Sequence, residues 1–81
     1  MDRNEILSVV NEIFCDVLDN EDIKITDSTC ADDIEEWDSL TNIQLVVAIE
    51  KKIGIKFISS EIMKWNNVGE MVDSIHLKLS K

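Results

Sequence analysis

The stretch that decides the fold is Asp38-Ser39-Leu40-Thr41-Asn42-Ile43-Gln44-Leu45-Val46-Val47-Ala48-Ile49-Glu50-Lys51-Lys52-Ile53-Gly54. Asp38 is a residue type that caps a helix N-terminus and Gly54 one that ends a helix, so the spacing predicts a helix over residues 39–53. Its apolar arc is broad: Leu40, Ile43, Leu45, Val46, Val47, Ile49 and Ile53. Thr41, Gln44, Lys51 and Lys52 leave only a narrow polar strip. A helix that is apolar over most of its girth is either largely buried or offers an apolar rim to a ligand or partner.

Working outward, residues 3–18 form a second amphipathic pattern. At a helical period, Ile6, Val9, Val10, Ile13 and Val17 cluster on one side, flanked by Leu7, Phe14 and Leu18. Ser8, Asn11, Glu12, Cys15 and Asp16 fall opposite. Between the two helices, residues 19–38 lack periodicity, and a connection that long is uncommon in a compact domain and usually functional. Its isolated apolar residues Ile23, Ile25, Ile34 and Trp37 predict a loop pinned across the core. Beyond Gly54, residues 55–57 form a short connection and residues 59–65 hold a turn or two of helix. The last helix opens on Asn67-Val68-Gly69-Glu70, which reads as a capping box with Asn in the lead position. Val68, Met71, Val72, Ile75 and Leu79 then line one face. The expectation is an all-α fold: a small bundle of three main helices plus one short helix, with a long first loop.

Eighty-one residues are expected to make a single domain, 1–81. A domain of this size buries about 60–65% of its unfolded surface, enough for one modest core and little room for an enclosed active site. The net charge is -9 and lopsided: residues 1–38 hold 13 acidic and 2 basic side chains, residues 39–81 hold 4 and 6. Such a field repels nucleic acid and anionic membranes and steers basic protein surfaces inward, although solubility alone also calls for charge. Cys15 and Cys30 have no short paired spacing, and no signal-peptide pattern opens the chain. No apolar run reaches the ~20 residues of a membrane helix. These features describe a soluble cytoplasmic protein with reduced thiols. No coiled-coil seam is evident, so a monomer is expected.

On Glu36-Trp37-Asp38-Ser39-Leu40, the helix running to Glu50, the turn Gly54-Ile55-Lys56-Phe57 and the tail Asn67-Val68-Gly69-Glu70, the chain resembles the acyl carrier protein family. The likeness covers essentially the whole chain. It implies that Ser39 is the attachment point for phosphopantetheine, delivered from coenzyme A by a phosphopantetheinyl transferase, and that Asp38 is read by that transferase. The thiol of the arm then holds an acyl group as a thioester, making the protein a phosphoprotein and a substrate of other enzymes, not an enzyme. A phosphodiester at a helix N-terminus is favoured by free backbone N–H groups and the helix dipole. The resemblance further implies that Leu40, Thr41, Gln44, Val47 and Glu50 face partner enzymes with basic surfaces, which load, condense or transfer acyl groups. For Leu40 and Val47, plain core packing is the competing reading. Val47 also lies where the family's acyl-chain pocket opens.

Two departures stand out. Thr41 and Gln44 occupy positions where fatty-acid-synthesis carriers usually have acids, and Lys51 and Lys52 follow Glu50. Because electrostatic complementarity sets partner choice, this points to a free-standing carrier of a specialised pathway, of fatty acid or polyketide type. Trp37, unlike the small or apolar residue common there, is expected to pin the loop to the helix, with contact to the arm as the second reading. Trp65 reads as a hydrophobic stop after the short helix.

Other readings fare worse or stay open. His76 lies off the apolar face of its helix, and nothing places it with Ser39 and an Asp as a triad. The acidic loop lacks the Gly and terminal Glu of a calcium-binding loop, so no metal site is expected. Two alternatives remain: an aminoacyl or peptidyl carrier serving an adenylating ligase, and a helical adaptor with no prosthetic group.

Overall fold

The first helix, α1 (Arg3–Val17), starts where the Asp2 carboxylate accepts the Glu5 backbone N–H at 2.8 Å and the Glu5 side chain accepts the Asp2 N–H in return. The computed structural model describes residues 2–80. The helix ends one residue sooner than its pattern suggests. Asp19 turns into the left-handed region at φ 53°, and the Asn20 N–H closes back on the Cys15 carbonyl at 3.0 Å. Ile6, Val10 and Phe14 are fully buried, so Phe14 stands at the centre of the apolar stripe and not on its flank.

α2 (Ser39–Ile53) is capped by Asp38 and stopped by Gly54 at φ 83°, as the sequence predicts. Its breadth resolves in favour of the exposed rim. Leu45, Val46 and Ile49 are buried, whereas Leu40, Ile43 and Val47 are 66%, 63% and 43% exposed. After the turn come α3 (Ser59–Lys64) and α4 (Val68–Leu79). The principal helix contacts are those of α1 with α2 and with α4. Leu45 and Ile49 of α2 meet Ile6, Val10 and Phe14 of α1 and Val68, Met71, Val72 and Ile75 of α4 in one apolar cluster. There is no strand among the described residues, and none of their helices is long and apolar enough to cross a membrane.

The long loop is ordered from end to end by named bonds. Ile23, Ile25 and Ile34 are buried as anchors, and Trp37 is half-buried with its ring edge-on to Phe14, centroids 4.9 Å apart. A single 3-10 turn, Ala31–Asp33, interrupts it, which the absence of periodicity did not announce. Asn11, expected on the polar face of α1, turns its carbonyl to the Ile25 N–H at 2.8 Å. The loop then crosses the start of α4. The carbonyls of Thr29 and Asp27 accept the N–H groups of Val68 and Gly69, each at 2.8 Å. With the Asn67 side chain accepting the Glu70 N–H at 2.9 Å, the three leading donors of α4 are all satisfied. The expected capping box here is only half formed, because the Glu70 carboxylate takes the N–H of Asn66 and not that of Asn67. Arg3 completes the junction, bonding Asp73, both oxygens of Asp27 and the Gly69 carbonyl.

Gly69 is the point of closest approach: a Cβ there would stand 2.7 Å from the Asp27 carbonyl oxygen. Gly69→Ala is therefore expected to push the loop off α4 and to cost about 1–3 kcal/mol, the range for overpacking. At Gly54 an added Cβ meets nothing within 4 Å, and the cost is that of the left-handed backbone alone, about 1 kcal/mol. Thermal denaturation of the two variants should show the larger loss of Tm at Gly69.

Candidate functional site

Ser39 is the first residue of α2 and is exposed. The cap behind it is tight. One oxygen of Asp38 accepts the N–H groups of Leu40 and Thr41, both at 2.9 Å. Thr41 Oγ1 accepts the Asp38 N–H at 2.8 Å and donates to the Glu36 carbonyl at 2.9 Å. The Asn42 N–H begins the helical ladder on the Asp38 carbonyl at 2.8 Å. Among the described bonds, the Ser39 N–H and hydroxyl are the groups left uncommitted at this helix end. The N–H groups expected to greet a phosphodiester thus reduce to Ser39's own, aided by the dipole of a fifteen-residue helix.

The bonds to Asp38, above all that from the Thr41 backbone N–H and then those from the Thr41 hydroxyl and the Leu40 N–H, hold its carboxyl below the ordinary carboxylate range. Asp38 therefore stays anionic through the neutral range beside the Ser39 hydroxyl. Among the described residues no three His, Cys, Asp or Glu side chains converge on a metal position.

Beside Ser39 lies a cleft of about 250 Å³, lined by Trp37, Asp38, Ser39 and Asn42 on one side and by Ile62, Trp65, Asn66 and Asn67 on the other, with Ala31 at its edge. Trp37 does pin the loop, since its indole N–H donates to the Asn42 side chain at 3.0 Å. It also lines this cleft. Trp65, read in the sequence as a simple stop, ends α3 and lines the same cleft from across it. Its indole N–H donates to Ser74 Oγ at 2.8 Å, and its ring meets Phe57 edge-on at 4.9 Å. Sequence reasoning placed neither Trp65 nor the asparagines at the site. The available signal was that Trp37 and Trp65 are the two tryptophans of the chain.

The five residues expected to face partners divide. Leu40, Gln44 and Val47 are exposed on α2, joined by Ile43. Leu40 and Val47 are thus not core residues. Thr41 is half-buried with its hydroxyl committed to the cap, and Glu50 is half-buried with its carboxylate accepting the Phe57 N–H at 2.8 Å. Both have structural work that the sequence did not disclose.

This arrangement, an exposed serine capped by Asp at the head of a helix, can be set beside known proteins. The sequence profile described as "Phosphopantetheine attachment site" matches residues 8–75. The chain belongs to the acyl carrier protein family. It is 32% identical over 75 residues to the acyl carrier protein of Rubrobacter xylanophilus, covering 93% of each chain. It is 30% identical over 81 residues to that of Thermosynechococcus vestitus, covering 99% of each. A solution NMR structure of holo acyl carrier protein from Geobacter metallireducens superposes with a TM-score of 0.87 at 39% identity, covering 93% of this chain and 86% of that one. The family's prosthetic group is covalent phosphopantetheine, and the exposed hydroxyl at a helix N-terminus, with an open cleft alongside, fits its attachment.

The Asp38 cap carries a pH signature. Its folded pKa lies below the ordinary value of 3.8, so the stabilisation is complete above the unfolded pKa and is lost as pH falls through the folded one. Asp38→Asn keeps a good capping side chain but not the charge. The Tm difference between wild type and this variant should be constant above about pH 5 and shrink in acid below that. A difference that stays flat into acid would show that the Asp38 charge contributes nothing to the cap.

Proposed function

We propose that Ser39 carries the phosphopantetheine arm of this acyl carrier, in one carrier domain spanning residues 1–81. The observation that carries the reading is the pairing of an exposed, uncommitted Ser39 hydroxyl with an Asp38 cap at the head of α2. In the loading step, Ser39 Oγ loses its proton and bonds to the β-phosphorus of coenzyme A. The pyrophosphate P–O bond breaks and the adenosine bisphosphate half leaves. When attached, the arm supplies a terminal thiol that holds an acyl group as a thioester.

The chain's own residues do the rest. The cap holds Ser39 at the helix end, clear of the core and open to a transferase. Asp38, anionic and adjacent, is the side chain that the transferase reads. The protein is handled by other enzymes and performs no catalysis itself.

For acyl-handling partners the docking face is the apolar rim of Leu40, Ile43 and Val47 with Gln44. The exposed acids Asp32, Asp33, Glu35 and Glu36 lie on the loop that leads into Ser39, and Lys51 and Lys52 stand at the far end of α2. Along the α2 face, acid therefore stands at the serine end and base at the far end. This distribution supports a carrier of a specialised pathway. An aminoacyl or peptidyl cargo, supplied by an adenylating ligase, is the second reading.

Intact mass after incubation with coenzyme A, Mg²⁺ and a broad-specificity phosphopantetheinyl transferase should rise by one phosphopantetheine in wild type and not in Ser39→Ala. No gain, under conditions that load a known carrier, would leave the adaptor reading standing. Ile43→Glu should leave Tm and loading unchanged while lowering the rate of acyl loading or transfer. Replacement of a housekeeping carrier in fatty-acid elongation should proceed more slowly than with that carrier itself, and an equal rate would remove the case for specialisation.

A further inference from the structure

Lys51 and Lys52 lie in the last turn of α2, and both are exposed. The ion pairs among the described residues use Arg3 and Lys78, so these two adjacent cations stand free in a chain of net charge -9. The helix dipole welcomes a cation in a last turn, yet α1 ends without one. Closing a helix in this bundle therefore does not require a pair of them.

Between α1 and the same end of α2 runs a groove of about 320 Å³. Ile13, Val17 and Ala48, buried or half-buried, supply its apolar lining; the exposed lysines border it from α2 and the exposed Asp16 from α1. Asp16 pairs with neither lysine among the described residues. The groove has room for a leucine- or phenylalanine-sized side chain and sets two cations beside it. It is continuous with the exposed rim of α2, because Lys51 follows Val47 at the same four-residue spacing by which Val47 follows Ile43. Charge along this face is divided. Asp32, Asp33, Glu35 and Glu36 precede the serine end, and α2 carries no acid from Ser39 to Ile49. The Glu50 carboxylate is committed to the Phe57 N–H. At 1.5 Å of rise per residue, Ser39 and Lys52 stand about 20 Å apart along the helix.

We propose that Lys51, Lys52 and this groove are a second docking point for acyl-handling partners, one that takes an apolar side chain flanked by carboxylates. The proposal rests on the reading that Ser39 carries the arm. The partner it fits is basic beside the entrance that receives Ser39 and acidic about 20 Å away, with one apolar residue to enter the groove. In that orientation unlike charges meet at both ends; turned end for end, like charges meet at both. The lysine pair thus decides which way round the carrier sits. A surface that is basic throughout is turned away at the far end, so selection works by repulsion as well as attraction. Asp16 confines the partner's carboxylates to the α2 side of the groove.

The test uses two probes: a fatty-acid condensing enzyme chosen for a carrier-docking surface that is basic throughout, and a synthetic helical peptide of leucines flanked by glutamates. Wild type and Lys51→Glu/Lys52→Glu are first loaded, which intact mass establishes. At low salt the double Glu variant should show the enzyme a KM about tenfold lower than wild type, with kcat unchanged. The difference should vanish at about 0.5 M salt, where charges are screened. Lys51→Ala/Lys52→Ala, which adds no acid to the helix end, should move KM the same way by a smaller factor. In amide NMR titrations the peptide should shift Ile13, Val17, Ala48 and both lysines of wild type and leave the double Glu variant unmoved. A KM indifferent to the charge reversal, or peptide shifts elsewhere, overturns the docking point while the carrier reading stands. Sedimentation should show monomers; a wild-type dimer that the double Glu variant dissolves gives the groove to a second copy and overturns the proposal. Failure of wild type to load at Ser39 overturns the carrier reading and this one with it.

Discussion

The structure depends on two backbone hydrogen bonds, from Val68 to Thr29 and from Gly69 to Asp27, by which the long loop accepts the leading N–H groups of α4. An interhelical connection of this length has a large entropy to lose, and α4 has orphan donors at its start. Each supplies what the other lacks. The absent side chain at Gly69 permits the approach, and Arg3 brings the N-terminal turn of α1 to the same junction. With the loop so seated, Ile25 and Ile34 reach the core, Trp37 meets Phe14, and Asp38 arrives at the head of α2.

The helices were legible in the sequence because amphipathic period and capping residues speak locally. Asp38 and Gly54 bracket α2, and Asn67 opens α4. The isolated isoleucines of the loop also announced its anchoring. What could not be read were the bonds joining residues distant in sequence: Asn11 with Ile25, Arg3 with Asp27 and Asp73, Glu50 with Phe57. No local pattern encodes them, since a polar residue on a helix looks the same whether it meets water or a backbone N–H. The place of Ser39 at the head of α2 was legible through its surroundings, by the capping residue at a loop–helix junction. Its cleft was not, because one wall comes from the loop before α2 and the other from the end of α3 and the start of α4.

The apolar girth of α2 shows the limit of periodicity in another way. Seven apolar positions do not say which of them will be covered. The bundle covers Leu45, Val46 and Ile49 and leaves Leu40, Ile43 and Val47 in water. An 81-residue chain has too little material to wrap a helix on every side. The uncovered residues keep solvent contact in the isolated molecule, which is tolerable for a small apolar strip flanked by Gln44 and lysines.

α1 makes the principal contacts to both α2 and α4. The bundle is thus built as two arms on a common spine, whose side chains close on one another in the shared apolar cluster. Ser39 stands at the tip of the arm whose inner face, Leu45 and Ile49, is fixed in that cluster. A load placed on Ser39 therefore enters the bundle at the α1–α2 seam and, through the loop that ends at Asp38, at the head of α4.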